Sequence, residues 1–248
     1  MISNYVNADI WRISKRIPRI IAILFVNIVF AVVIVKASTG DSWNSVFFMD
    51  KMLGGFSFVS AWCGIVEFIA VFSDDFKAKT MQVAIGAGIK RRHVILTKWI
   101  DCMFLLLSDL VFVCIVGLLT GMATGVHVNT EQLGDLLINV LGVVLKAGAY
   151  YSLTMIPVFF LQSVMISLII YFCLSTGLVY QIFQYLFSLE AIRSWNLDGF
   201  LLTSAGKQFI SRLIVGTFDI KSFLLVLVYA VVGYVVSSLL FRKKELEF

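Results

Sequence analysis

The chain has 248 residues, of which 60% are hydrophobic and only 14% are charged, and its net charge is +5. Soluble domains are about 45–50% apolar and about 25% charged, so one soluble core of this size cannot bury so many apolar side chains. The apolar runs, such as 20–35 and 223–236, are long and unbroken. They lack the alternating pattern of a membrane β-barrel and predict an all-α polytopic membrane protein.

Residues 1–16 mix apolar and basic side chains, with Trp11 among them, before the first long apolar run. This composition predicts an amphipathic helix on the inner leaflet. We expect no cleavable signal peptide, because the first apolar run is longer than a signal core and no small-residue cleavage site follows it.

Six apolar runs have the length of about 20 residues that a membrane-spanning helix needs. They predict spans at 17–35, 53–72, 95–119, 136–161, 164–187 and 222–241. We find no internal repeat, so residues 1–248 are interpreted as a single transmembrane domain. The segment 188–221 is too apolar for a free loop and predicts short helices that re-enter the outer leaflet, with a folded surface loop as the alternative.

Charge asymmetry predicts the orientation. With the N-terminus inside, thirteen lysines and arginines fall in inner segments and six in outer segments, and Lys146 lies within a span. Positive residues favour the cytoplasmic side. Both termini are therefore predicted to be cytoplasmic. Because the basic residues cluster beside the apolar runs, we expect membrane lipid and no nucleic acid as a partner.

Sequence signatures of catalysis are missing. The nearest approach to a nucleotide-binding P-loop is Gly206–Lys207, with Leu201 in place of the first glycine and Gln208 in place of Ser or Thr. The four cysteines fall in apolar runs without metal-site spacing. We therefore expect no ATP site, no metal and no cofactor in this chain, and no enzymatic activity of its own.

The cytoplasmic loop 73–98 carries the most specific pattern. An acidic pair, Asp74 and Asp75, precedes a stretch in which Phe76, Thr80, Val83 and Ala84 recur at helical spacing. A glycine turn and a basic cluster follow. This pattern predicts a short helix whose apolar face fits a groove on a soluble partner, whereas a solvated connector is the alternative.

This loop resembles the coupling segment between the second and third spans of ABC-2-type transporter permeases. Asp74 or Asp75 would match the family's acidic residue, Thr80 its threonine, and Arg91 or Arg92 its arginine. Lys79 departs from the pattern, because glycine is usual there. Length and layout are most similar to the small permeases that export, or give immunity to, lantibiotics, bacitracin and related antimicrobial peptides.

The resemblance implies a permease subunit in a bacterial plasma membrane. It would pair with a second permease chain, identical or homologous, and with cytoplasmic ABC ATPase subunits that hold ATP and Mg²⁺. An amphipathic peptide or hydrophobic substrate is implied. The residues expected to contact the ATPase are Asp74, Asp75, Phe76, Lys79, Thr80, Val83, Ala84, Arg91 and Arg92.

Ionisable residues within spans are costly and usually have a partner or face a cavity. Asp109 and Lys146 fall near the middle of two antiparallel spans, and we predict an ion pair between them. The alternatives are that each lines a substrate path or that Lys146 extends to the interface. Gly117, Gly121 and Gly125 form a GxxxGxxxG pattern that predicts close helix packing, although ordinary glycines near a loop would give the same pattern.

Two other functions remain open on the sequence alone. One is a secondary transporter or channel that no ATPase drives. The other is a membrane-resident assembly protein without transport activity.

Overall fold

In the computed structural model, residues 2–40, 43–77, 80–189 and 197–243 are described, without the side chains of 2–4, 74–77, 80, 197 and 243. Every regular element of this part of the chain is a helix. The α-helices are α1 (Ile2–Ser14), α2 (Ile17–Ser38), α3 (Ser45–Lys77), α4 (Thr80–Gly86), α5 (Arg91–Ala123), α6 (Thr130–Leu161), α7 (Val164–Ser175), α8 (Leu178–Phe187), α9 (Leu202–Ile214) and α10 (Ile220–Lys243), with a 3₁₀ turn at Leu197–Phe200.

Within the described residues, five helices are long and apolar enough to cross a membrane: α2, α3, α5, α6 and α10. At 1.5 Å per residue, a hydrocarbon layer of about 30 Å takes about 20 residues. The helices α3, α5 and α6 have 32 or 33 residues. They are therefore longer than a crossing of such a layer requires.

The predicted span 164–187 is not one continuous helix. It is divided into α7 and α8, whose axes are bent by 58°. Gly177 has a φ of +81° at the break, a conformation that glycine adopts without a steric penalty. Neither half is long enough to span alone, so the number of candidate spans is five, or six if the bent pair is one span.

The helices α3 and α6 form the centre of the bundle and are the most buried of the candidate spans. They are also the least hydropathic of the five, because a helix surrounded by protein can carry polar side chains that bond to its neighbours. The longest packing interface joins α10 to α6. Gly233 makes it possible, since a Cβ there would lie 2.6 Å from the Ser152 carbonyl carbon.

Several helix ends meet at one end of the bundle, which we call the basic end. Here Arg16 of the α1–α2 junction donates a hydrogen bond to the Ala70 carbonyl near the end of α3. Arg91, at the start of α5, donates to the Phe241 carbonyl near the end of α10. The Phe159 ring, near the end of α6, also packs against the Phe241 ring.

The chain must return to the opposite end between α6 and α10. The helix α6 ends at the basic end, whereas α9 packs against the first half of α6, where Ile210 contacts Gly142. Between them, Tyr171 of α7 stacks on Tyr151 midway along the bundle, and Tyr180 of α8 lies beside Lys207 of α9. The pair α7 and α8 therefore makes this return.

The two flanking segments are also helical where they are described. In the predicted interfacial segment 1–16, α1 packs on α5 with Ile13 buried and Trp11 exposed. In the segment 188–221, residues 190–196 lie outside the described residues. The rest forms the 3₁₀ turn and α9, which buries one apolar face that includes Leu202 and Phe209 against α6 and α10.

Candidate functional site

The segment between α3 and α5 contains a short helix, α4, at the basic end. Met81 and Ala84 are buried, whereas Val83 is 70% exposed. The helix ends in a turn in which Gly88 has a φ of +90° and the Ile89 amide donates to the Ala84 carbonyl. The fold therefore holds α4 by one face and leaves Val83 on the surface.

This arrangement corrects part of the predicted docking face. Val83 and Ala84 do not share an exposed face, because Ala84 and Met81 are one helical turn apart and both turn inward. Lys79 and the side chains of Asp74, Asp75, Phe76 and Thr80 lie outside the described residues. Their predicted contacts with a partner stay predictions.

Arg91 and Arg92 have different environments. The Arg91 guanidinium donates to the Phe241 carbonyl at 2.9 Å and lies 5.5 Å from the centre of the Phe241 ring. It therefore fastens the start of α5 to the end of α10. The Arg92 side chain is exposed, and its carbonyl accepts a hydrogen bond from the Tyr234 hydroxyl at 3.3 Å.

A first buried ionic cluster joins α1 to α5. The Asp9 carboxylate accepts hydrogen bonds from Lys98 and from Arg12, and Lys98 is fully buried. Burial raises the pKa of Asp9, but the Lys98 ammonium and the Arg12 guanidinium outweigh burial and hold that pKa below its ordinary value. This cluster anchors α1 to the bundle.

A second buried ionic cluster joins α2, α3 and α5. Arg19 Nε donates to Glu67 Oε1 at 2.7 Å, and Arg19 Nη2 donates to Asp109 Oδ1 at 2.8 Å. The side chains of Glu67 and Asp109 are 0% and 6% exposed. Hydrogen bonds with an ionised donor or acceptor are the strong ones, so this triad is a principal polar link between the three helices.

The predicted ion pair between Asp109 and Lys146 is wrong in this structure, because Arg19 takes the place of the lysine. Asp109 faces α2 and α3, whereas Lys146 faces α9, and its side-chain carbons approach Gly206. The two residues lie on different faces of packed helices, so their similar depth does not bring them together.

Sequence reasoning missed Arg19 and Glu67 as parts of this cluster. Arg19 is one of the thirteen basic residues of the inner segments, for which no buried partner is predicted, and no partner is predicted for Glu67. The sequence did contain a signal for this cluster, because Arg19, Glu67 and Asp109 all lie in apolar runs, and an ionisable residue there needs a partner. The sequence did not say which of the possible pairs would form.

Two of the three glycines in the GxxxGxxxG pattern of α5 lie at a close contact between helices. A Cβ at Gly117 would lie 2.6 Å from the Met52 methyl carbon, and one at Gly121 would lie 2.6 Å from the Phe48 ring. Both glycines therefore allow α3 and α5 to approach closely. Gly125 has no neighbour within 4 Å of its would-be Cβ and has a φ of +83°, so it serves the turn after α5 instead of helix packing.

An apolar groove of about 820 Å³ lies between α2 and α3. Aromatic and branched side chains line it, among them Phe25, Val29, Phe58 and Trp62, and Lys51 lies near the end opposite the basic end. Its size lies within the range of about 300–1,000 Å³ that is usual for ligand pockets. The groove can accept an apolar chain but offers few polar contacts for orienting one.

Among the described residues, no group of three or more His, Cys, Asp or Glu side chains is placed to hold a metal ion. In the comparisons with known proteins, no family model and no curated sequence matches this chain.

Proposed function

We propose that the chain is the transmembrane permease subunit of an ATP-driven ABC exporter. The observation that supports this most directly is α4, a short helix between two long candidate spans at the basic end of the bundle. It is anchored by the buried Met81 and Ala84 and presents Val83 outward. A short anchored helix of this kind can insert into a groove on a cytoplasmic partner.

The proposed topology has six spans, with α7 and α8 as one broken span and the basic end in the cytoplasm. The concentration of arginine and lysine at this end supports that orientation, since positive residues favour the cytoplasmic side. In this topology α1 lies on the inner leaflet, α9 lies within the outer leaflet, and both termini are cytoplasmic. The membrane would be a bacterial plasma membrane.

The proposed mechanism couples an ATPase to the bundle through the basic end. Two permease chains, identical or homologous, would bind two ATPase subunits that hold ATP and Mg²⁺. Closure of the ATPases would move α4. Because α4 follows α3 and precedes α5, and because Arg91 links α5 to α10, movement of α4 would act on three spans.

The proposed substrate is an amphipathic or antimicrobial peptide or another compound that partitions into membranes. The groove between α2 and α3 supports this class, because its walls are apolar. A lipid-dissolved substrate could reach it laterally.

Co-purification tests the proposal directly. The tagged chain would be purified gently from its native cell, and the proteins that accompany it would be identified by mass spectrometry. We expect an ATPase with a P-loop, and we expect Val83→Asp to remove it, because the substitution puts a charge at the centre of an apolar contact.

Val46→Asp is the matched control. Val46 is 71% exposed and Val83 is 70% exposed, but Val46 lies at the opposite end of the bundle in the first turn of α3. The control should retain the ATPase. Absence of any ATPase under conditions that preserve a known complex, or equal loss in both variants, would contradict the proposed coupling role of α4.

A secondary transporter that no ATPase drives is the second candidate. The triad of Arg19, Glu67 and Asp109 favours it, because buried ionisable residues within spans often mark ion or proton pathways. The two candidates differ in a simple measurement. Transport by the purified chain in vesicles, driven by an ion gradient without ATP, would support the second and oppose the first.

A further inference from the structure

The triad of Arg19, Glu67 and Asp109 has more negative than positive charge if both carboxyl groups are ionised. One guanidinium is shared between two carboxylates at 2.7 and 2.8 Å. The second oxygen of each carboxyl group, Glu67 Oε2 and Asp109 Oδ2, is buried without a hydrogen-bond partner. The cluster therefore has one uncompensated charge and two unsatisfied acceptors in the interior.

Both deficits are costly. An isolated charge transferred out of water is strongly disfavoured, and buried groups tend to neutralise instead. Unsatisfied buried polar atoms are rare in native structures and call for an explanation, such as a bound ion. A single additional positive charge between the two carboxyl groups would remove the excess charge.

The position of the two carboxyl groups indicates what that charge is. Glu67 Oε1 and Asp109 Oδ1 accept hydrogen bonds from neighbouring nitrogens, Nε and Nη2, on one edge of the Arg19 guanidinium, so the two carboxyl groups lie side by side. Two carboxylates have only acceptor oxygens, whereas a protonated carboxyl group also has a donor. A hydrogen bond between them therefore requires one proton, as in pairs of carboxyl groups that cannot both ionise.

The neighbouring groups do not supply the missing charge. Facing the pair are Cys63 from α3 and Tyr151 from α6, which carry no charge at neutral pH at their ordinary values. On α5 itself, Asp101 and Lys98 are eight and eleven residues away. These separations are about 12 and 16 Å along the helix.

A metal ion fits the cluster less well than a proton does. Hard cations such as Ca²⁺ and Mg²⁺ take about six or more oxygen ligands, whereas the cluster offers two unpartnered oxygens beside a guanidinium that would repel a cation. Among the described residues, no third His, Cys, Asp or Glu completes a metal site.

We propose that Glu67 and Asp109 form a binding site for one proton, which the two carboxyl groups share beside the Arg19 guanidinium. With the proton bound, the triad is neutral, and each helix contributes one member. Without it, a net negative charge remains between α3 and α5. The site thus links protonation to the packing of α2, α3 and α5, and it does not depend on the proposed ATPase partner.

Infrared spectroscopy of the purified full chain tests the proposal, since a protonated carboxyl group has a C=O stretching band that a carboxylate lacks. At neutral pH we expect this band in the wild type, shifted in D₂O. Glu67→Gln and Asp109→Asn should each abolish the band of the shared proton completely, because the single remaining carboxylate balances Arg19.

Glu131→Gln, which changes an exposed carboxyl group in the first turn of α6, is the matched control and should leave the band unchanged. A wild-type spectrum without the band at neutral pH would overturn the proposal, as would a band unchanged in both site variants. Loss of the band when Na⁺ is added at constant pH would also overturn it, by assigning the site to a cation.

Stability gives a second measurement on the same proteins. The folded wild type retains a proton that the unfolded chain releases at neutral pH, so its unfolding becomes easier as pH rises, by up to about tenfold in the equilibrium constant per pH unit. Glu67→Gln should lose this dependence. If a variant fails to fold, the wild-type band must still disappear at strongly alkaline pH, and its persistence there would contradict a titrating site.

Discussion

Replacement of Arg19 by methionine tests how much the triad stabilises the bundle. Methionine keeps an unbranched apolar chain as far as the position of Nε but removes the guanidinium that joins α2 to α3 and α5. The negative charge of the carboxyl pair then stays buried without a counter-ion. Removing one partner of a buried ion pair costs about 3–5 kcal/mol, and the two charge-assisted hydrogen bonds lost are together of the same order, about 3–6 kcal/mol.

The expected effect is large enough for a simple thermal assay. For a chain of this size, each kcal/mol lowers the Tm by about 2–4 °C. Arg19→Met should therefore lower the Tm of the detergent-solubilised protein by about 6–20 °C, as measured by intrinsic tryptophan fluorescence. Arg212→Met, at an exposed arginine of α9, should cost less than about 1 kcal/mol.

A rescue variant separates charge from packing. Adding Glu67→Gln and Asp109→Asn to Arg19→Met removes the uncompensated charge of the carboxyl pair while keeping the volumes of those two side chains, so most of the lost stability should return. If Arg19→Met is no more destabilising than Arg212→Met, the triad does not hold the three helices together. If the triple variant is as unstable as the sum of its parts, the loss comes from packing and the electrostatic reasoning fails.

Three further changes test the packing and the ionic links. Gly233→Ala should destabilise the protein by about 1–3 kcal/mol, because the added methyl group would meet the backbone of α6. Gly134→Ala, with open space around the added methyl group, should be neutral or stabilise the protein by up to about 1 kcal/mol. Thermal unfolding of the two variants compares these effects, and equal effects would refute the close approach of α10 to α6. Gly177→Ala should cost about 1–2 kcal/mol through its positive φ, and an unchanged Tm would argue against the break between α7 and α8. Asp9→Asn should cost about 3 kcal/mol at neutral pH. Since the folded pKa of Asp9 is depressed, its contribution is present above the unfolded pKa of about 3.9 and lost as pH falls below that value. Unfolding measured from pH 7 to about pH 3 should show the wild type and Asp9→Asn converging on acidification, and a gap that widens would contradict the pairing.

Much of the architecture follows from local pattern. The apolar runs predict the long helices, because a helix is the only open-chain structure that satisfies its own backbone in lipid. The predicted boundaries of the second and third spans lie inside α3 and α5, which are longer, because hydropathy identifies only the apolar stretch of a helix and not its polar ends. The bend in the fifth predicted span was missed, since one glycine with positive φ hardly changes the hydropathy of the run.

The partners and the exposure of the candidate site residues depended more strongly on the tertiary structure than the helices did. Hydropathy identified Asp109 and Lys146 as ionisable residues that need partners, and this physical requirement holds for Asp109. Its partner, however, is Arg19, ninety positions away in the chain, because rotation of α5 and α6 about their axes points the two predicted partners toward different neighbours. In the same way, the helical period placed Val83 and Ala84 close together on α4, but only the contact of α4 with the bundle decided which of them is exposed.

The sequence by itself determined that the helices suit lipid surroundings, that the fold is all-helical and that basic residues concentrate at one end of the bundle. Each of these properties depends on composition and on residues near one another in the chain. The tertiary structure alone decided which faces of those helices meet. Lipid is nearly as apolar as the side chains that it contacts, so hydropathy cannot tell a lipid-facing residue from a protein-facing one. The pairing of Arg19 with Glu67 and Asp109 therefore depends on how the glycines, aromatic rings and ionic groups of α2, α3 and α5 pack against each other.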